Sequence, residues 1–164
     1  MGVKISIDLR AIDDLRREVD RSVSLRNRIT KAWSTIYRSF VRQRFYKQSR
    51  GGGEWPPLKQ STIARRRGGG GNAAILRDTN ALLASLQPEL GQGGLMQTSP
   101  LKSLGFRAEL SGNGAYKTGV TLADVAGFHH CGEGNLPKRE ILVQPDNRTV
   151  QNMVDQAERI MSLS

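Results

Sequence analysis

Val3-Lys4-Ile5-Ser6-Ile7-Asp8-Leu9 alternates apolar and polar residues at period two, which predicts a half-buried strand. Ile12, Leu15, Val19, Ser22, Arg26, Ile29, Trp33, Ile36, Tyr37 and Phe40 then recur at steps of three and four, the spacing of one helix face. Neither glycine nor proline occurs between Val3 and Arg50. The pattern predicts a helix over about residues 11–47, roughly 50 Å long at 1.5 Å per residue, with a bend or break near Ser22-Val23-Ser24. Asp13 and Asp14 lie in its first turns, where the helix dipole favours acids. Farther along, Ser61 to Arg67 fits a short helix, and Leu82, Leu83 and Leu86 fit another near 79–86 with Asp78 or Thr79 as cap. Leu104 to Leu110 and Ala115 to Leu122 flank Ser111-Gly112-Asn113-Gly114, which predicts a β-hairpin. Residues 125–132 have no clear period. Val150, Met153, Val154, Ala157, Ile160 and Met161 predict an amphipathic C-terminal helix. The expected fold is α+β: a long N-terminal helix packed on a small, mostly antiparallel sheet, with a C-terminal helix.

Glycine and proline clusters divide these elements. Loops are expected at about 49–60, 67–74 and 87–103, the second containing four consecutive glycines, Gly68 to Gly71. At 164 residues the chain suits a single domain. No run approaches the ~18–20 apolar residues of a membrane span. The single cysteine, Cys131, excludes a disulfide within the chain and a cysteine-rich zinc site.

Charge changes the picture through its location. The net charge is +10, yet residues 21–67 carry 13 Lys and Arg against a single acid, Glu54, whereas residues 73–164 are near neutral. On the long helix, Arg28, Lys31, Arg38 and Arg42 form a stripe roughly opposite the apolar face, and Arg65-Arg66-Arg67 follows. A surface of this kind suits nucleic acid, an anionic membrane or an acidic protein.

Catalytic chemistry has little material. His129-His130-Cys131-Gly132-Glu133 is the densest group of potential ligands, but adjacent histidines on a strand would point to opposite faces. A metal-dependent nuclease on His129, His130 and Glu133 is the weakest of three readings. Neither glycine cluster has phosphate-loop spacing, and the acids are scattered. No cofactor, metal or catalytic residue is expected. Trp33, Tyr37 and Phe40 follow the apolar face, and Trp55, beside two prolines, is expected to dock its loop.

Several blocks in order resemble the phage virion morphogenesis family, the tail completion proteins of Mu-like and P2-like tailed phages. They are Phe40-Val41-Arg42-Gln43-Arg44-Phe45, Trp55-Pro56-Pro57-Leu58, Thr62-Ile63-Ala64-Arg65-Arg66, Ile75-Leu76-Arg77-Asp78-Thr79, and Leu82 with Ser85-Leu86. Phe128-His129-His130-Cys131-Gly132 and Leu136-Pro137-Lys138-Arg139-Glu140-Ile141-Leu142 resemble the family's later block. Asn80 stands where glycine is usual in the family and Cys131 where an aromatic is common. The resemblance spans about residues 35–160.

It implies a non-enzymatic virion protein at the head–tail junction, assembled in a host cytoplasm as a homo-oligomeric ring, expected to be hexameric. Its implied partners are a tail terminator or tail tube and head-side connector or stopper proteins, with DNA in the lumen and no membrane. On that reading Arg28, Lys31, Arg38, Arg42, Arg65, Arg66 and Arg67 face an anionic partner or DNA. Trp55, Pro57, Leu58, His129, His130, Pro137 and Arg139 are the expected loop or inter-subunit contacts. The alternative is a basic nucleic-acid-binding protein acting by itself.

Overall fold

The computed structural model describes residues 3–7, 23–66, 74–77, 81–86, 95–101, 104–111, 115–117 and 119–163. In chain order they form β1 (Val3–Ile7), α1 (Val23–Ser49), α2 (Gln60–Ala64), α3 (Ala81–Ser85), β2 (Met96–Pro100), β3 (Phe106–Leu110), β4 (Ala115–Lys117), β5 (Val120–Thr121), α4 (Leu122–Cys131) and α5 (Asn147–Ser162). The architecture is α+β, as the apolar pattern predicts: a long helix, a small antiparallel sheet and a C-terminal helix.

α1 is the spine. Ile29, Trp33, Tyr37, Val41 and Phe45 recur every four residues and are all at most 1% exposed. This row faces both the sheet and α5. Trp33 crosses to α5 and donates its Nε1–H to the Met153 carbonyl at 2.6 Å. Tyr37 donates its hydroxyl to the Val143 carbonyl at 2.9 Å, while its ring lies 5.5 Å from that of Phe106 on β3. Burial pushes the Tyr37 hydroxyl pKa above its ordinary value, against the opposing pull of that hydrogen bond. From the other side, Met153, Ala157 and Ile160 present a buried stripe of α5. Asp146 caps that helix by accepting from the Thr149 N–H at 2.8 Å.

The three-stranded sheet has the order β1-β3-β2, both pairings antiparallel. Phe106, Ala108 and Leu110 on the central strand are buried, and exposed Arg107 alternates with them. Lys4 and Glu109, opposite one another in register, form an ion pair at 3.7 Å.

Three expectations need correction. The hairpin between 104–110 and 115–122 does not form: β3 pairs with β1 and β2, β4 pairs with β5, and Leu122 already begins α4. The loop expected at 87–103 contains β2, whose backbone completes the ladder on β3 although only Met96 on it is buried. His129 and His130 sit on the helix α4 rather than on a strand. Helix α4 begins with a capping box. Thr121 Oγ1 accepts from the Asp124 N–H at 3.1 Å, and the Asp124 carboxylate accepts from the Thr121 N–H at 2.9 Å.

Other boundaries differ less. β1 is described to Ile7, and α1 from Val23 to Ser49, so the part of the helix expected over 11–22 lies outside the described residues. α2 spans Gln60–Ala64, starting one residue before the expected 61–67 and ending earlier, and α3 spans Ala81–Ser85 within 79–86. Its expected caps Asp78 and Thr79, the glycine-rich segment 67–73 and residues 87–94 of the third loop lie outside the described residues.

Candidate functional site

The segment after α4 builds the most unusual feature of the molecule. Gly132 ends the helix with φ +75°, and the N–H groups of Gly132 and Glu133 both donate to the Phe128 carbonyl at 2.9 Å. A Cβ at Gly132 would lie 3.1 Å from Lys138 Cα, so glycine lets the chain double back against the helix end. The returning segment is tied down twice: the Arg139 N–H donates to the His129 carbonyl at 2.7 Å, and His130 Nδ1 accepts from the Ile141 N–H at 3.0 Å.

The other wall comes from the loop after α1. Gln48, 6% exposed, accepts the Trp55 backbone N–H at 3.0 Å. The Trp55 ring packs edge-on against Phe45, with centroids 5.1 Å apart. Trp55 Nε1 and Arg44 Nη1 both donate to the Glu140 carbonyl, at 3.2 and 2.6 Å. Trp55 therefore docks its loop, as its neighbouring prolines suggest. Arg139 closes the arrangement by donating Nη2 to the Pro56 carbonyl at 3.0 Å.

These contacts place Arg139 in the wall of a cleft of about 390 Å³ between α2, α3 and α4. Arg65, Arg66 and His129 share that lining. Arg65 is exposed, and half-buried Arg66 donates to the Ala74 carbonyl. Leu58, Leu76, Leu82 and Leu122 supply apolar walls. No carboxylate among the described residues lines the cleft.

Arg139 is only 3% exposed, and its Nε has no hydrogen-bond partner among the described residues. Burial and then the like charge of Arg66 pull its pKa down. Glu140, next to it in the chain, pairs with Lys138 at 2.6 Å, and Glu54 pairs with Arg44 at 3.6 Å. His129 Nδ1 likewise has no partner, and burial followed by Arg139 lowers the pKa of its ring to about 4. The imidazole is therefore neutral at neutral pH. Burial also lowers the His130 pKa, which suits a ring nitrogen already accepting a backbone N–H.

The basic stripe divides. Arg28, Lys31 and Arg42 are exposed on α1, whereas Arg38 is half-buried and donates Nη2 to Thr98 Oγ1 on β2 at 3.0 Å. Lys31 and Arg38 line a separate groove between α1 and β2. Arg67 lies outside the described residues. Of the expected loop contacts, Trp55 and Arg139 are buried, Leu58 is half-buried, and Pro57 and Pro137 are exposed. The grouping of Arg65 and Arg66 with His129 and Arg139 bridges more than sixty residues of sequence. The separate charge and block patterns contain no signal for it.

Among the described residues no three His, Cys, Asp or Glu side chains converge as metal ligands, and no helix is long and apolar enough to cross a membrane. Cys131 is exposed. No family model, curated protein or solved structure matches the chain.

Proposed function

We propose that the protein is a non-enzymatic structural component of a tailed-phage virion, completing the tail or connecting it to the head at the neck as an oligomeric ring. One observation supports this reading above the others: the sequence blocks that carry the family resemblance pack on one another. Phe45 meets Trp55, Trp55 meets Glu140, Arg139 meets Pro56, and His130 meets Ile141. Blocks separated by as much as 85 residues thus form one structural unit. Exposed Arg28, Lys31 and Arg42 on α1 offer the basic surface toward DNA or an acidic ring neighbour.

Complementation tests the role directly. Inactivating the gene in the phage or prophage that encodes it should leave separate filled heads and tails, and adding purified protein should restore joined particles. Intact, infectious particles made without the protein would refute it. Basic residues on α1 also favour a nucleic-acid-binding reading. Tight, salt-dependent duplex binding by a monomer that never enters particles would establish that alternative.

A further inference from the structure

We propose that the cleft between α2, α3 and α4 receives a carboxylate carried on an apolar-flanked peptide segment of a partner protein. The inference is independent of the virion role.

The main observation is the state of Arg139. A guanidinium 3% exposed holds one neutral carbonyl, has no partner for Nε among the described residues, and has the like charge of Arg66 beside it. Buried charges are normally paired, because an uncompensated one loses its hydration without recovering it. An acid entering the cleft supplies a counter-charge that the described residues do not, and accepts the fork of N–H donors that arginine presents to a carboxylate. Arg65 stands exposed in the lining, where it attracts the incoming anion. His129 Nδ1, also without a partner among the described residues, adds a second group to the same wall.

The surroundings choose the carrier. A nucleic-acid groove strings cations along an open track and stacks bases on aromatic rings. Here the cations converge in a concavity, and Leu76, Leu82 and Leu122 are its neighbours, with no Phe, Tyr or Trp among the described residues of the lining. Aliphatic walls beside a buried guanidinium match an Asp or Glu with apolar flanks. They do not match a phosphodiester.

The test uses the full chain and the peptide acetyl-Leu-Glu-Leu-amide, with its Leu-Gln-Leu counterpart, inorganic phosphate and a short DNA duplex as comparison probes. Binding is followed by amide and side-chain NMR shifts. The Glu peptide should shift His129, Arg65 and Arg139 signals, and the Gln peptide should bind about 10-fold more weakly, as expected for loss of a charge-assisted hydrogen bond. Arg139→Met and Arg65→Gln should each weaken the Glu peptide by a similar factor. If Arg139→Met failed to fold, Arg65→Gln would decide alone, because Arg65 is exposed. Three results overturn the proposal: no Glu-peptide shifts at the cleft, equal binding of both peptides, or unchanged binding in Arg65→Gln. Tighter binding of phosphate or duplex at these residues overturns it in favour of a nucleic-acid site.

Discussion

Replacing Arg139 with methionine should make the isolated protein more stable. Methionine retains much of the length of arginine and fills the same narrow space, but carries no charge. The substitution removes the hydrogen bond from Nη2 to the Pro56 carbonyl. A bond from a charged group contributes about 1.5–3 kcal/mol. Against this stands removal of a guanidinium that is 3% exposed and has no carboxylate among the described residues of its cleft. Exchanging even paired buried ions for apolar side chains of similar volume is neutral or stabilising by about 1–4 kcal/mol. An unpaired ion belongs at the favourable end of that range. The difference is a net gain of about 1 kcal/mol, which for a chain of this length raises Tm by roughly 2–4 °C. Thermal and urea unfolding, followed by far-UV circular dichroism at pH 7 without polyvalent anions, measures it. Arg139→Lys keeps the charge but loses the planar fork, and should fall below the parent protein. A loss of about 2 kcal/mol or more in Arg139→Met would refute the reasoning, because it would mean the guanidinium is already compensated within the chain.

Trp33→Phe removes the fully buried link from α1 to the Met153 carbonyl and should cost about 1–3 kcal/mol, read from the urea midpoint. Gly132→Ala forces an alanine into φ +75° and against Lys138 at 3.1 Å, and should cost more than about 1 kcal/mol by the same assay. The third prediction concerns pH. His129 takes its proton near pH 4 when folded and near 6.5 when unfolded, so the unfolded chain binds more protons between those values. Its contribution is complete above about pH 6.5 and is lost progressively as pH falls toward 4. It amounts to at most about 3 kcal/mol, reduced by the ring's partial exposure. His130 is shifted the same way, whereas Asp124, Glu140 and Asp146 are shifted below the ordinary carboxylate range and lose their contribution only at lower pH. Urea midpoints at pH 7 and pH 5 should therefore differ, and His129→Gln should reduce the difference. Equal midpoints would contradict the assignment of a neutral, buried His129.

Helical periodicity was legible wherever one face meets the core. Ile29, Trp33 and Tyr37 of the α1 row and the α5 stripe of Met153, Ala157 and Ile160 follow from spacing alone, whereas Ile36 and Phe40 are only half-buried and Val41 and Phe45 continue the row beyond the expected face. Strand β3 was legible too, because Phe106, Ala108 and Leu110 alternate with polar residues. β2 was not: Met96-Gln97-Thr98-Ser99-Pro100 offers one buried apolar residue, and its strand conformation comes from the partner it pairs with. Proline at its end suits a position at the edge of the sheet. The hairpin expectation failed because nearness in sequence favoured a local partner, while β3 found its ladder bonds in β1 and β2. For α4 the sequence carries a helix-start signal in Thr121-x-x-Asp124, masked by the strand-like residues before it. Arg139 stood out in sequence only through the family resemblance. Its burial without a counter-ion among the described residues depends on Pro56, His129 and Arg66 arriving from three other segments, and no local pattern encodes that meeting.

The sheet order imposes a timetable on synthesis. β1 precedes the rest of its sheet in the chain, but its sheet partner among the described residues, β3, pairs Leu110 with Val3 and follows more than a hundred residues later. At translation rates of ~5–20 residues per second, that interval is roughly 5–20 s. Throughout it the nascent chain carries this strand without the β3 ladder, which is when a chaperone or a foreign strand competes for it. Moving β1 to the C-terminus by circular permutation would remove the wait while leaving the finished sheet unchanged.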